Sequence, residues 1–448
     1  MDLIRPPGPK RWPSFLTLLE LGRDPLVFLE RLSRYGPIAH FRVGLTHFYV
    51  LSHPELIRTV LVAEQHKFHK HPWLNLAKPM LGNGLLTSEG EFHRMQRRLA
   101  QPAFHPHRLS DYGQTMVVTV NAFQERWSDG AVLDLSAEMM SLTLEVVAKS
   151  LLGASVANDI PIIANGLGIA AEQFRPGRLL FAPLLQRLPV PSTLRFRKAA
   201  RALDSILYRV IQERRASSGE DRNLLSLLVS ALDSEGDGRG LTDEQLRDQA
   251  MTIFLAGHET LANALAWTWL LLCQHPEAER SVHREVDSVV GNRLPSASDF
   301  ERLSFTRAVL AESMRLYPPI WGMMRVALED AELGGYVVPA GSSVVMSQWV
   351  VHRDAAHFPE PERFHPERWL APDRDALPRL AYFPFGAGSR ICIGEGFAWL
   401  EGVLTIASVA SRWRFELLPG QTITPKPRLT LRQSRGIQVR VRRRDPFL

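Results

Sequence analysis

Cysteine is nearly absent from the chain, which contains only Cys273 and Cys392 among 448 residues. Two thiols cannot build a disulfide framework, which excludes the small disulfide-stapled class of secreted domain. Cys273 lies in an apolar run that starts at Trp267, where a free cysteine is usually a small buried hydrophobe. This sparing use of cysteine fits a reducing cytoplasm, where disulfides are rare.

A long apolar run is also missing. The first ten residues lack the apolar stretch of a signal peptide. The longest candidate span, Leu261–Cys273, contains Asn263 and Thr268 and ends before Pro276, so it is too short and too polar to cross a bilayer. We therefore expect no transmembrane anchor and a cytoplasmic protein. Lysine is scarce as well, with seven among 53 basic residues, and together with the missing anchor this favours a bacterial source.

Acidic residues are slightly outnumbered by basic ones, 47 against 53, which gives a formal net charge of +6. The basic residues are scattered and lack interleaved aromatic side chains, so we expect no nucleic acid partner. A solvated, arginine-rich surface is the simpler interpretation of this charge. A basic face that docks an acidic redox protein is the second interpretation.

Composition and periodicity favour a mainly α protein with a smaller β-rich lobe. Hydrophobic residues make up 45% of the chain, and no linker or internal repeat divides it, so we predict a single domain over residues 1–448. Strand-like and helix-like patterns then divide the chain into β-rich parts at about 37–52, 320–350 and 415–443 and an α-rich core at about 53–315 and 394–411.

One predicted helix is unusually long. Thr242-Asp-Glu-Gln245 is a capping-box signature, and the helix that it opens can run to about His275, before Pro276. At 1.5 Å per residue this helix would measure roughly 50 Å. Because it is apolar on nearly every face, we expect it to be buried.

The strongest motif is Phe385-Gly-Ala-Gly-Ser-Arg-Ile-Cys-Ile-Gly394. Its glycines let the backbone approach a flat ligand closely and adopt positive φ angles where needed. Cys392 lies just before a predicted helix start, where backbone N–H groups and the helix dipole favour a thiolate over a thiol. Arg390 supplies a guanidinium fork for a carboxylate.

This segment resembles the haem-binding signature of the cytochrome P450 family at its defining positions, which are Phe385, Gly386, Gly388, Arg390, Cys392 and Gly394. The resemblance extends over roughly residues 5–443 and implies the cytochrome P450 fold, with the long helix crossing the haem. It implies haem b (iron protoporphyrin IX) as the cofactor, with Cys392 as the axial iron ligand that promotes O–O cleavage. Phe385, Gly386, Arg390 and Gly394 would be further haem-binding residues.

A second segment, Ala256-Gly-His-Glu-Thr260, lies in the middle of the long helix. A glycine costs about 1 kcal/mol in a helix relative to alanine, and a threonine can bond its own helix carbonyl, so this turn is locally weakened. The segment resembles the oxygen-activation motif of the family. The resemblance implies that Thr260 holds dioxygen, that Glu259 joins a proton relay and that Ala256 lies against the haem. A helix–helix contact through Gly257 is the alternative interpretation.

Two further segments resemble the Glu–Arg–Arg motif of the family. Glu312 and Arg315 have an i,i+3 spacing, which by itself usually marks a surface pair of little energetic value. Arg368 could complete a buried network with them, and in the family this network pins the chain before the cysteine. The overlapping segment Pro361–Phe364 is a rival for the third position, but Arg368 is in the better register.

The resemblance also implies three partners for the haem propionates. His93 and Arg97 have an i,i+4 spacing and would point the same way from one helix. The family commonly has tryptophan at the position of His93, so the chain departs from the pattern there. Arg325 follows an apolar segment and corresponds to the third propionate partner.

The family resemblance implies a monooxygenase that inserts one oxygen atom from O2 into a C–H or C=C bond. An apolar substrate such as a terpenoid, fatty acid or carotenoid is expected from the lining that the family layout implies. Electrons would come from a ferredoxin or flavodoxin and its reductase. A peroxide-driven peroxygenase, a haem-dependent isomerase and a non-catalytic haem sensor are the alternatives. The expected pocket walls are the loop 73–85, a proline-rich lid at 173–192, and Phe254, Ala256, Ile320 and Trp321.

Overall fold

The structure is a computed structural model that describes residues 4–9, 14–153, 158–171, 190–216, 223–232, 238 and 240–444. The proline-rich lid expected at 173–192 lies outside the described residues as far as position 189. The chain divides into two compact units, each assembled from discontinuous segments. The first unit comprises Met1–Leu74, Glu312–Cys392 and Pro425–Arg432, and the second comprises Asn75–Ala311, Ile393–Thr424 and Gln433–Leu448. The single domain expected from the sequence stays a prediction.

Helices make up most of the described chain, as the sequence predicts. The α-helices are Ser14–Arg23, Pro25–Ser33, Pro54–Arg58, Lys78–Leu81, Gly90–Ala100, Pro106–Gln124, Leu135–Val147, Ile160–Ala171, Pro191–Ala216, Leu224–Ser230, Asp243–Gln274, Pro276–Val289, Ser304–Leu316, Gln348–Val351 and Glu395–Ala410. Two short π-helical segments, Thr59–Ala63 and Ala148–Leu152, extend the helices before them. No helix among the described residues has both the length and the apolar character needed to cross a membrane.

The first unit contains a five-stranded sheet. Its strands are, in spatial order, Ile38–Val43, Thr46–Leu51, Ser343–Met346, Met323–Ala327 and Phe68–Lys70. The first two strands form the antiparallel hairpin that the sequence predicts, with Ile38 paired to Leu51. Alternate residues of the strands are buried in an apolar core, because successive side chains of a strand point to opposite faces.

The second unit contains a three-stranded antiparallel sheet, in the order Val132–Asp134, Gln438–Arg443 and Trp413–Leu417. In the first unit, a two-stranded sheet pairs Ala331–Leu333 with Tyr336–Val338, and a further two-stranded sheet pairs Pro425–Pro427 with Leu431–Gln433. Phe68–Lys70 and Val132–Asp134 fall inside the stretch expected to be helical. Each has only three residues, which is too short to produce a recognisable alternation in the sequence.

The long helix Asp243–Gln274 begins at the predicted capping box. The Thr242 hydroxyl accepts a hydrogen bond from the Gln245 amide at 3.2 Å, and the Gln245 side chain accepts one from the Thr242 amide at 2.9 Å. These two bonds satisfy N–H groups that have no partner within the helix. The helix ends before Pro276, and its middle is buried in the second unit.

The helix Glu395–Ala410, which follows the second cysteine, contains a fully buried carboxyl group. Both oxygens of Glu401 lack a hydrogen-bond partner among the described residues, and the side chain is 0% exposed. Burial raises the pKa of Glu401 well above its usual range, because ionisation in this apolar setting is unfavourable. Glu401 is therefore neutral in the folded protein under conditions where it ionises in the unfolded chain.

This difference predicts a stability that falls as the pH rises. Glu401 binds its proton more tightly in the folded state than in the unfolded state. Its contribution to stability is therefore complete below the unfolded-state pKa and is lost as the pH rises toward the folded-state pKa. As the pH rises above the usual glutamate pKa of about 4.3, Glu401 should lower the free energy of unfolding by up to about 1.4 kcal/mol per pH unit. The stability of Glu401→Gln, measured by thermal unfolding over this pH range, should fall less steeply with rising pH than that of the wild type. The surface variant Glu416→Gln is the control, and parallel curves for Glu401→Gln and the wild type would contradict the prediction.

Candidate active site

Cys392 lies at the end of a loop that folds back on itself. We call residues 385–394 the cysteine loop. The Cys392 amide donates to the Phe385 carbonyl at 2.9 Å, and the Gly386 amide donates to the Phe383 carbonyl at 3.0 Å. Gly386 has a φ angle of +75°, which a side chain would strain. The loop leaves the Cys392 thiol exposed, just before the N-cap of the helix Glu395–Ala410.

The middle of the cysteine loop rests on another part of the first unit. A Cβ atom at Gly388 would lie 1.8 Å from the Leu61 carbonyl oxygen, and the φ angle of Gly388 is +72°. The next amide, of Ser389, donates to the Gln65 side chain at 2.8 Å. Leu61 belongs to the π-helical segment Thr59–Ala63, a kind of irregularity that is frequent at functional sites. Position 388 therefore requires glycine for both conformation and space.

The two cysteines differ in their surroundings. Cys273 is partly buried, and its Sγ donates to the Phe415 carbonyl at 3.2 Å. Burial raises the pKa of the Cys273 thiol to about 12, so this cysteine is protonated at neutral pH and unsuited to bind a metal. The interpretation of Cys273 as a small buried residue agrees with this environment only in part, because the residue is partly exposed. Cys392 is thus the better candidate for a thiolate ligand.

Glu312, Arg315 and Arg368 form the network that the sequence predicts. Arg315 donates from Nε and Nη2 to the two carboxylate oxygens of Glu312 at 2.9 and 2.8 Å. Arg368 donates from Nε to Glu312 Oε1 at 3.0 Å. The Glu312 and Arg315 side chains are both 0% exposed, so this i,i+3 pair is a buried one. The rival Arg363 instead pairs with Glu360 at the surface.

The network has members that the sequence did not reveal. The indole N–H of Trp369 donates to Glu312 Oε2 at 2.9 Å, and the His365 amide donates to Oε1 at 3.0 Å. Arg315 also donates to the backbone carbonyls of His352 and Pro361, at 2.9 and 2.6 Å. The carboxylate thus accepts five hydrogen bonds. Such a set ties the chain before the cysteine loop to the end of the helix Ser304–Leu316.

The long helix is buried from Leu246 to Leu272 except at one place. Ala256 is exposed and Gly257 and Thr260 are partly exposed, whereas every other residue in this stretch is buried. Ala256 and Thr260 are four residues apart and so occupy the same face of the helix. This uncovered strip coincides with the segment that the sequence singled out, and it carries no charged side chain.

Within the uncovered strip the helix remains continuous. The Thr260 hydroxyl donates to the Ala256 carbonyl at 2.8 Å, so its hydrogen is committed and its lone pairs remain available to accept. Glu259 is buried, next to the strip. Gly257 lies against Val147, whose Cγ2 would be 3.4 Å from an added Cβ. The alternative interpretation of Gly257 as a helix–helix contact therefore also agrees with the structure.

The predicted pocket residues do not all lie together. Phe254 is two residues from Ala256, which places it about 200° around the helix. It lines a cleft too narrow for a water molecule, together with Leu151, Leu152, Leu224, Leu225, Leu228, Ala250 and Ile253. The structure therefore does not bring Phe254 to the strip of Ala256 and Thr260.

The two pocket residues expected in the first unit differ in their packing. Trp321 packs against the apolar clusters of this unit, and its indole N–H donates to the Arg428 carbonyl at 2.9 Å. Ile320, beside it, is partly exposed. The pocket role of both residues stays a prediction.

The three expected propionate partners lie on regular elements. His93 and Arg97 share one face of the helix Gly90–Ala100, where His93 is buried and Arg97 is partly exposed. Arg325 lies in the strand Met323–Ala327 and is nearly buried. Rigid elements hold side chains more precisely than loops do, which suits residues that orient a ligand. Their contact with a propionate stays a prediction.

The donor set of the chain fits an iron that a macrocycle already holds. A bare metal ion needs several protein ligands, usually three or four in proteins. Among the described residues, no group of three or more His, Cys, Asp or Glu side chains could bind one. The exposed Cys392 on a glycine-rich loop suits a haem iron, which needs only an axial ligand from the protein.

Comparison with known proteins agrees with this geometry. The sequence model named Cytochrome P450 matches residues 6–441. Cyclooctatin synthase of Streptomyces melanosporofaciens is 40% identical over 92% of this chain and 90% of that protein. Cyclooctat-9-en-7-ol 5-monooxygenase of the same species is 39% identical over 90% of this chain and 88% of that protein.

Further matches extend the same result. Pentalenene oxygenase of Streptomyces avermitilis is 35% identical over 95% of each chain. Among solved structures, the crystal structure of the cytochrome P450DA heme domain matches with a TM-score of 0.87 and 26% identity, over 100% of this chain and 99% of that one. A match to one family over nearly its whole length shows that the chain belongs to the cytochrome P450 family and is a haem-dependent monooxygenase that needs O2 and redox partners.

Proposed function

We propose that this cytochrome P450 inserts one oxygen atom from O2 into a C–H or C=C bond of an apolar terpenoid, with haem b ligated by Cys392. The observation that carries the proposal is the uncovered strip at Ala256, Gly257 and Thr260 in an otherwise buried helix. A glycine-rich loop that exposes a single thiol supports the assignment of the ligand.

The choice of a terpenoid rests on the strip and on the relatives. The strip offers only a methyl group, a glycine and one hydroxyl, so it favours a substrate that is largely apolar. The three relatives are named for cyclooctatin, cyclooctat-9-en-7-ol and pentalenene. Fatty acids and carotenoids also present apolar chains, but no relative described above is named for either.

Residues of the long helix would orient and deliver protons. Haem bound through the Cys392 thiolate supplies the activation of O2 and the oxidation of the substrate. The Thr260 oxygen, whose own hydrogen is committed to Ala256, would accept a hydrogen bond at the strip and so orient a proton donor there. The Glu259 carboxyl, buried beside it, would hold a proton and release it in that direction.

Other residues would hold the haem, and separate proteins would supply its electrons. His93, Arg97, Arg325 and Arg390 would bind the haem propionates through charge-assisted hydrogen bonds. Phe385, Gly386 and Gly394 would keep the cysteine loop against the haem. A ferredoxin or flavodoxin with its reductase would supply the electrons, and the net charge of +6 favours an acidic protein as the donor.

Turnover with the named compounds tests this proposal. The purified protein would receive NADPH, a ferredoxin, its reductase and either pentalenene, cyclooctat-9-en-7-ol or a long-chain fatty acid. Incorporation of one labelled atom from ¹⁸O2 into a terpenoid, read by mass spectrometry, is the expected result. Oxidation of the fatty acid alone, or product with peroxide but none with NADPH, would contradict it.

Thr260→Val should separate electron consumption from product formation. The change removes the hydroxyl but keeps the branched shape, so the helix and the strip should remain intact. Product formed per NADPH consumed should fall by roughly two orders of magnitude, the lower range for loss of general acid–base assistance. Thr260→Ser, which keeps a hydroxyl that can bond the Ala256 carbonyl, is the matched control and should retain most of the product yield. Equal yields from the two variants would rule out a role for the hydroxyl.

A further inference from the structure

His352 is a fully buried histidine next to the Glu312 network. It is 0% exposed and lies at the C-cap of the short helix Gln348–Val351. Its Nε2 accepts a hydrogen bond from the Phe383 amide at 3.0 Å, and its backbone carbonyl accepts one from Arg315 at 2.9 Å. Its ring also contacts those of Tyr382 and Phe383, with centroids 5.0 and 5.4 Å away.

The bond to Phe383 requires a neutral ring. A protonated histidine donates from both nitrogens and could not accept from an amide. Burial, with Arg315 and Arg353 nearby, holds the pKa of His352 well below its usual range, so the ring stays neutral. The proton then resides on Nδ1, which has no hydrogen-bond partner among the described residues.

Phe383 links His352 to the cysteine loop through its backbone hydrogen bonds. Its amide is held by His352, and its carbonyl accepts from the Gly386 amide at 3.0 Å. Gly386 follows Phe385, whose carbonyl accepts from the Cys392 amide at 2.9 Å. The Phe383 side chain is buried in the core of the first unit, so this residue cannot shift freely. A short series of hydrogen bonds thus runs from Arg315 through His352 to the cysteine.

We propose that His352 is a positioning residue for the thiolate: its Nε2 fixes Phe383 and thereby the place of the cysteine loop. The inference rests on the proposed role of Cys392. His352 itself touches neither the substrate nor the reacting atoms. Loss of the Nε2 acceptor leaves the buried Phe383 amide without a partner, which favours a displaced loop with a weakened thiolate ligand.

The test measures thiolate ligation in variants of the haem-loaded protein. His352→Phe keeps a ring but removes the acceptor. His352→Gln places an amide near the position of Nε2, whereas the shorter His352→Asn reaches only the position of Nδ1. The readout is the carbon monoxide difference spectrum, in which thiolate-ligated haem gives a strongly red-shifted Soret band. His283→Gln, at a partly buried histidine of the helix Pro276–Val289, is the matched control.

The ratio of red-shifted to unshifted haem should fall about tenfold in His352→Phe and His352→Asn, and should stay near the wild type in His352→Gln and His283→Gln. A wild-type ratio in His352→Phe, or equal ratios in the glutamine and asparagine variants, overturns the inference. If His352→Phe does not accumulate, the comparison of glutamine with asparagine decides. Absence of the red-shifted band in the wild type would overturn the proposed role of Cys392 itself.

Discussion

Cys392→Ala is expected to lose the red-shifted carbon monoxide band entirely and to form no product from any substrate. The exposed thiol of Cys392 is the proposed axial ligand, and alanine offers no atom that can replace it. The cysteine loop should keep its backbone conformation, because its hydrogen bonds to Phe385 and Gln65 are made by backbone amides. Any haem that the variant retains should therefore lack a thiolate ligand.

Cys273→Ala is the control that makes this result specific. Cys273 is a protonated thiol whose one described hydrogen bond goes to the Phe415 carbonyl. Its replacement should leave the spectrum unchanged and lower the free energy of unfolding by only about 1 kcal/mol. A red-shifted band that persists in Cys392→Ala, or one that disappears in Cys273→Ala, would show that the ligand has been assigned to the wrong cysteine.

Local sequence predicted the cysteine loop well because its chemistry lies in consecutive residues. The positive φ angles at Gly386 and Gly388 occur where the spacing of glycines indicated close backbone approach. The close contact of Gly388 with Leu61 could not be predicted, since these residues are distant in the chain and meet only through the fold. The same limit applies to Phe68–Lys70, whose strand exists because Met323–Ala327 lies beside it.

Helical periodicity predicted the burial of the long helix but not its uncovered strip. A helix that is apolar on every face is buried, but its sequence does not indicate which turn the neighbouring elements leave exposed. Phe254 illustrates the difficulty, because the family layout implies a pocket wall that contains both Phe254 and Ala256. Two residues of a helix are separated by about 200°, so the two side chains lie on nearly opposite faces. Phe254 instead packs among leucines.

Glu312→Gln is expected to prevent the accumulation of haem-loaded protein. The change removes the negative charge that compensates the buried Arg315 and the partly exposed Arg368, and it turns one acceptor into a donor amid five existing donors. Breaking a buried ion pair by removing one partner costs about 3–5 kcal/mol. A domain is typically stable by about 5–15 kcal/mol, so this single change removes a large share of the total. The yield of protein with the red-shifted band measures the loss.

The chain offers a control with the same spacing in a different environment. Glu277 and Arg280 are also an i,i+3 pair, but their side chains are 94% and 67% exposed. Glu277→Gln should change the free energy of unfolding by no more than about 1 kcal/mol, because water screens an exposed pair and solvates the arginine that is left. If both variants accumulate equally, then Glu312 does not stabilise the segment before the cysteine loop. If only Glu312→Gln fails to accumulate, the burial of the pair rather than its spacing accounts for its contribution to stability. An i,i+3 pattern in a sequence does not reveal that burial.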